Sequence, residues 1–241
     1  MDRNLVDIGN SNIKIIRLNK NELDLESFVS FNLNEINKVN FNTLPDFFVI
    51  SSVNNDILTY FLLYLKIYKK QYKILDKIEV TKKLSFKFNL NEYKNIGIDR
   101  LLLMEGVKQK YDFKNFLLIS LGTANTYNLV INNEFKGGII SPGIEKRLNS
   151  LENLLNISLK ENLSIKPIKM FYRNTKLSSI SGIYYSVLGE IEYIINQTID
   201  KYNNIKIIFS GGGSLFFLDY IKNNNFLYDK YLIFWGIKKY L

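Results

Sequence analysis

The strongest constraint on this chain is a turn that occurs twice. Asn4–Asn12 runs NLVDIGNSN and Leu117–Asn128 runs LLISLGTANTYN. In each, an apolar strand-like run enters a Gly-centred turn lined with hydroxyl and amide side chains, and a second apolar run leaves it. Gly9 and Gly122 admit a close ligand or a positive φ, while Asn10, Ser11, Thr123 and Thr126 offer hydrogen bonds suited to phosphate oxygens. Two copies in two halves predict a duplicated domain, with one phosphate-gripping turn from each half and the ligand in the cleft between them.

The 241 residues suffice for one large or two modest domains. No cysteine and no histidine is present, which excludes disulfides, zinc–thiolate sites, Ser-His-Asp triads and imidazole metal sites. Proton transfer must then fall to Asp, Glu, Lys or Tyr, so a carboxylate mechanism is favoured. The net charge of +9 is spread over a Lys-, Asn-, Ile- and Tyr-rich chain without an arginine-rich arm, and no nucleic-acid partner is expected. The start of the chain lacks a signal peptide's apolar region, and the best apolar run, Ile57–Leu65, is too short to cross a bilayer and meets Lys66. The expectation is a cytoplasmic protein with no membrane partner.

In order, Asn4–Ile8 and Ile13–Leu18 predict a hairpin, with a further strand around Leu23–Phe31. Asp7 ends the first run, where a carboxylate reaches a metal-bound phosphate or, more plainly, closes an Asx-turn on its own backbone. Asp46–Ser52 predicts a buried strand, Asn54–Tyr68 a helix, and Lys73–Val80 a short strand. Asp99 and Arg100 open a helix over an apolar face of Leu102, Leu103 and Val107; the acid either caps the helix or accepts a hydroxyl proton beside a guanidinium that forks a carboxylate. A tight connection at Asn133-Glu134 precedes FKGGIISPG and a helix through Glu145–Leu155. Tyr172–Leu177 is expected as a polar loop before a long helix, Ile183–Tyr202. A strand at Ile205–Phe209 then enters Ser210-Gly211-Gly212-Gly213-Ser214 and a helix over Leu215–Lys222, an arrangement suited to nucleotides.

Together DIGNSNIK (Asp7 to Lys14), GIDR (Gly97 to Arg100), LGTANT (Leu121 to Thr126), GGIISPG (Gly137 to Gly143), RNT (Arg173 to Thr175), SGGG (Ser210 to Gly213) and the closing LIFWGI resemble the type III pantothenate kinases. These belong to the acetate kinase, sugar kinase, Hsp70 and actin superfamily. The resemblance implies an α/β chain of two ribonuclease H-like (actin-like ATPase) domains, 1–110 and 111–241, with an ATP cleft between them. It implies transfer of the γ-phosphate of ATP to the 4′-hydroxyl of pantothenate, with Mg2+, in a homodimer. It places Asp7, Ile8, Gly9, Asn10, Ser11, Asn12, Ile13, Lys14 and Thr123 on ATP. It sets Tyr93, Gly97, Ile98, Asp99, Arg100 and Thr175 around pantothenate, with Asp99 as the base. The dimer contact is expected along the long helix from Ile183 and the apolar face after Gly143.

Three positions depart from the family pattern. Ser120 stands where the family has the Asp that holds a monovalent cation, K+ or NH4+, and a neutral hydroxyl is a poorer cation ligand. Asn128 replaces a second Asp, and Tyr93-Lys94-Asn95-Ile96-Gly97 is a shortened approach to the GxDR motif. Losing such carboxylates commonly costs orders of magnitude in rate. The competing expectation is a weakened homologue that binds nucleotide and acts as an accessory to a partner.

Overall fold

The structure is a computed structural model and describes residues 2–159 and 166–241. Its elements are β1 (Arg3–Ile8), β2 (Ile13–Asn19), β3 (Glu22–Phe31), β4 (Phe47–Ser52), α1 (Asn55–Ile67), β5 (Gln71–Ile74), α2 (Lys77–Lys82) and α3 (Ile98–Tyr111). There follow β6 (Phe116–Leu121), β7 (Ala124–Ile131), β8 (Glu134–Pro142), α4 (Ile144–Leu155), α5 (Thr175–Lys201), β9 (Lys206–Ser210), α6 (Leu218–Asn223), β10 (Leu227–Tyr228) and α7 (Leu232–Lys238). The chain packs into two compact units, Met1–Phe113 with Tyr231–Leu241, and Lys114–Lys230. Each holds a five-stranded mixed sheet, β3-β2-β1-β4-β5 in the first and β10-β9-β6-β7-β8 in the second. In both, an antiparallel meander leads from the central strand to one edge, and parallel strands lead to the other. The duplication expected from the paired turns is therefore a duplication of topology, and the α/β, ribonuclease H-like class is the one observed.

In the first unit β1 is central and buried on both faces, which is why it is an apolar run without alternation. Val6 and Ile8, with Ile13, Ile15, Phe48 and Ile50, pack on Phe61 and Leu65 of α1. Asn54 starts that helix by accepting the Ile57 N–H at 3.0 Å. The opposite face, which carries Leu5 and Asp7, is covered by α3 and α7. These two helices cross at glycines: a Cβ at Gly106 would overlap the Leu232 carbonyl oxygen, and one at Gly236 the Leu102 carbonyl oxygen. The closing helix thus completes the core of the first unit, although 111–241 was the expected second domain.

Three elements differ from expectation. Lys73–Val80 is not one strand: β5 ends at Ile74, and Asp76 then caps α2 by accepting from Ile78 and Glu79 N–H groups. The long helix α5 begins at Thr175 rather than Ile183 because Asn174 caps it, accepting the Leu177 N–H at 3.2 Å. Its serine-rich start hides the helical period, and Ser179 turns its hydroxyl back to the Thr175 carbonyl at 2.8 Å. The expected helix over Leu215–Lys222 is a 3-10 turn, Gly212–Phe217, continued by the short α6. The β7–β8 turn falls one residue early, on Asn132 and Asn133, whose φ values of 52° and 56° suit a tight hairpin. In the second unit Leu117, Ile119, Leu121 and Tyr127 with Ile207 and Phe209 form the face that α5 covers through Tyr184, Val187 and Ile191.

Candidate active site

Across the first sheet, Lys14, Asp7 and Ser51 stand in one register on β2, β1 and β4, so their side chains share a face. Asp7 is buried at 3% exposure, and its Oδ2 receives the Lys14 ammonium at 2.8 Å. That pairing carries the carboxylate across the hairpin to the Lys14 cation. Ser51 Oγ is fully buried and makes no hydrogen bond within the described residues. Beyond Asp7 the first turn is closed by the Gly9 N–H on the Asn12 carbonyl at 3.0 Å, and Asn10, Ser11 and Asn12 are exposed at its tip.

Asp99 comes to this row from the first turn of α3. The N-cap is Gly97, without a side-chain cap bond, and Asp99 stands at the second helical position. Its carboxylate folds back over Gly97, where an added Cβ would overlap Oδ1, and accepts the backbone N–H of Arg100. Burial, and then the Asp7 charge beside it, push the Asp99 carboxyl above the ordinary aspartate range, against the pull of that N–H and of the Arg100 and Lys14 charges. Asp7 raises the Lys14 ammonium despite its burial, and Asp99 adds to this. Burial lowers the half-buried Arg100, which Asp99 offsets. The structure thus brings Asp7, Lys14 and Asp99 into one electrostatic group, with Gly97, Ile98 and Arg100 at the same helix start. Tyr93 lies in the preceding turns, its ring 5.6 Å from that of Phe88.

In the second unit the turn between β6 and β7 carries Gly122 and the half-buried Thr123. Neither Gly9 nor Gly122 has a positive φ, which corrects one of the two uses expected of them; the glycines that do are Gly137, beside a β-bulge, and Gly211. The SGGG run packs on the second turn: a Cβ at Gly211 would overlap the Leu121 carbonyl oxygen. Ser210, Ser120 and Thr126 form a row of hydroxyls across β9, β6 and β7 in the register that holds Lys14, Asp7 and Ser51 in the first sheet. Asn128, fully buried, donates to Thr126 Oγ1 at 3.4 Å. Thr175 is exposed at the start of α5 and lines a groove of about 860 Å³ with Arg173, Lys146, Arg147, Leu151 and Ile183.

No group of three or more acidic side chains able to hold a metal occurs among the described residues. Mg2+ takes one or two carboxylates beside substrate phosphates, and Asp7 offers one, with its Oδ2 facing the Lys14 ammonium at 2.8 Å. The Ser210–Ser120–Thr126 row offers only neutral oxygens, and no carboxylate stands in it. Sequence reasoning missed Ser51, whose place beside Asp7 emerges only from strand register. It also missed Arg147 and Glu190, whose pairing joins two helices.

A family model for Type III pantothenate kinase matches residues 5–197. A curated relative of that name from Christiangramia forsetii is 34% identical over 171 residues, 68% of this chain and 68% of its own length. Another, from Flavobacterium psychrophilum, is 28% identical over 242 residues, 95% of this chain and 94% of its own. Among solved structures, a Baf family protein from Campylobacter jejuni superposes with a TM-score of 0.64 at 22% identity, covering 98% of this chain and 96% of that one. That similarity speaks for the fold.

Proposed function

We propose, on the premise that this chain belongs to the type III pantothenate kinase family, that it phosphorylates pantothenate with ATP to give 4′-phosphopantothenate, the first step of coenzyme A synthesis. The observation that carries the reading is the grouping of Asp7, Lys14 and Asp99 at the first turn. Phosphoryl transfer asks chiefly for in-line positioning and charge neutralisation, with one carboxylate near the attacking hydroxyl.

In this mechanism Asp99 accepts the proton of the pantothenate 4′-hydroxyl as the hydroxyl oxygen bonds to the γ-phosphorus and the bond from that phosphorus to the β–γ bridging oxygen breaks, releasing ADP. A carboxyl raised above the usual range is the better base for that step. Arg100 forks the pantothenate carboxylate, and Tyr93, Gly97, Ile98 and Thr175 enclose the rest of the molecule. Asp7 would hold Mg2+, which would supply positive charge against the phosphates of ATP. Ile8 to Ile13 approach the phosphates with backbone and side-chain donors, Lys14 adds a positive charge, and Thr123 binds ATP from the second turn. The exposed Leu154 and Leu155 of α4, with α5 alongside, are the proposed homodimer contact. No helix among the described residues is long and apolar enough to cross a membrane. A cytoplasmic location belongs to the same reading, since the reaction draws on ATP.

Coupled ADP release with magnesium-ATP is expected only when pantothenate is present, and at equal rates in potassium and sodium because Ser120 supplies no charge. Absence of turnover in a folded protein that still binds ATP would overturn the kinase reading in favour of an accessory role. Activation by potassium would overturn the reading of Ser120 alone. Gly97→Ala tests the seat of the base: a methyl group there must displace the Asp99 carboxylate. Misplacement by about 1 Å costs on the order of 10²-fold, so kcat is expected to fall by about that factor while the KM for ATP is retained.

A further inference from the structure

Glu190 lies on α5 and meets three other elements of the second unit. Its Oε1 accepts from the Tyr127 hydroxyl of β7 at 2.6 Å and from Ser141 Oγ of β8 at 2.5 Å, and its Oε2 pairs with Nη2 of Arg147 on α4. Arg147 also donates from Nη1 to Ser186 Oγ at 3.2 Å, from Nη2 to Ser141 Oγ at 3.2 Å, and from Nε to the Pro142 carbonyl at 2.7 Å. The next residue, Gly143, is the N-cap of α4. Its N–H donates to the Thr123 carbonyl at 3.1 Å, and a Cβ on it would overlap the Gly122 carbonyl oxygen. The start of α4 is thus wedged against the second turn and tied from its far side to α5.

We propose that Glu190, acting through Arg147, holds the Gly122–Thr123 turn in its nucleotide-binding position, so that both are positioning residues for ATP. The inference rests on the assignment of Thr123 to ATP. Burial alone would raise the Glu190 carboxyl, but Ser141, Tyr127 and Arg147 together hold it below the ordinary range, so the anion persists to face the guanidinium. As a source of stability the pair is modest: both side chains keep about a fifth of their exposure, and such ion pairs contribute on the order of 1 kcal/mol or less. Its effect is geometric. A fork of several N–H donors fixes direction as well as distance, and lysine cannot reproduce it.

Glu190→Gln is expected to raise the KM for ATP by about five- to tenfold, with kcat and the KM for pantothenate changed less than about twofold. Arg147→Lys, which keeps the charge and loses the fork, is expected to raise the KM for ATP by a similar factor; only that KM is read for this variant, because Arg147 also lines the groove that holds Thr175. Tyr127→Phe removes a hydrogen bond from the same carboxylate without touching Arg147; it lowers Tm and leaves the KM for ATP in place. In a Thr123→Ala background, Glu190→Gln adds little, because the two act on one contact. Equal effects of Tyr127→Phe and Glu190→Gln on that KM would mark the network as structural only and overturn the inference. So would an unchanged KM in Glu190→Gln and Arg147→Lys beside a raised one in Thr123→Ala. If Thr123→Ala itself leaves the KM unchanged, the assignment of Thr123 to ATP falls instead.

Discussion

Asp99→Asn is expected to reduce pantothenate-dependent ADP release by about 10³-fold, within the range that a positioned general base supplies, while magnesium-ATP still binds. Asparagine keeps the shape and the contact over Gly97 but cannot take the hydroxyl proton. The raised carboxyl also sets the pH dependence. Activity of the native enzyme falls as the pH drops through a value above the ordinary aspartate figure of 3.8, and that acidic limb vanishes from the residual rate of the variant. Stability runs the other way. An aspartate whose folded pKa is raised binds its proton more tightly folded than unfolded, so stability is fullest below the unfolded pKa and is lost as the pH rises through the folded one. At neutral pH Asp99 is therefore destabilising through burial and through Asp7, and Asp99→Asn is expected to raise Tm as it removes activity. A variant that loses activity and melts earlier would point to damage to the fold rather than to loss of a base.

Gly236→Ala and Gly106→Ala are each expected to cost about 2–3 kcal/mol, the upper part of the range for a forced overlap in a packed core, because the atom met is backbone. Two effects oppose each other. Alanine favours a helix over glycine by about 1 kcal/mol, but the new methyl meets a backbone carbonyl of the facing helix, which has no rotamer to turn away. The overlap wins. For a protein of this size each 1 kcal/mol shifts Tm by about 2–4 °C, so a fall of about 4–12 °C is expected, with a matching decrease in the urea midpoint. The double variant should lose less than the sum, because either methyl alone already spreads α3 from α7. An unchanged Tm in both single variants would show that the crossing tolerates a wider spacing.

Much of this architecture was legible in the chain. The strand–turn–strand pattern around Gly9 and Gly122 located both central hairpins, and Asn54–Tyr68 located α1, because apolar period and cap chemistry are local properties. α5 was legible only from Ile183 on, since Thr175 to Gly182 is too rich in serine to show a period and its cap, Asn174, sits in what looks like a loop. Asp7 and Asp99 were visible as acids beside glycines, yet nothing local shows that their charges meet, or that Lys14 pairs with Asp7; these follow from strand register and from how α3 docks. Glu190 lay beyond sequence reasoning altogether. A single acid on a helix is ordinarily solvated, and only the fold brings Tyr127, Ser141 and Arg147 around it.

The return of α7 to the first unit has a consequence for biosynthesis. Synthesis runs from the amino end, and domains ordinarily fold as units while the chain emerges, N-terminal first. Here the first unit leaves the ribosome with Gly106 facing no partner helix and with the Leu5 and Asp7 side of its sheet only half covered. The whole of Lys114–Lys230 must be translated before Leu232–Lys238 arrives to close it. The second unit, contiguous in the chain, is free to finish first. The core of the first unit is therefore expected to close only after the residues of the second have been made, and the apolar face beneath α7 is the surface a nascent-chain chaperone would meet before then.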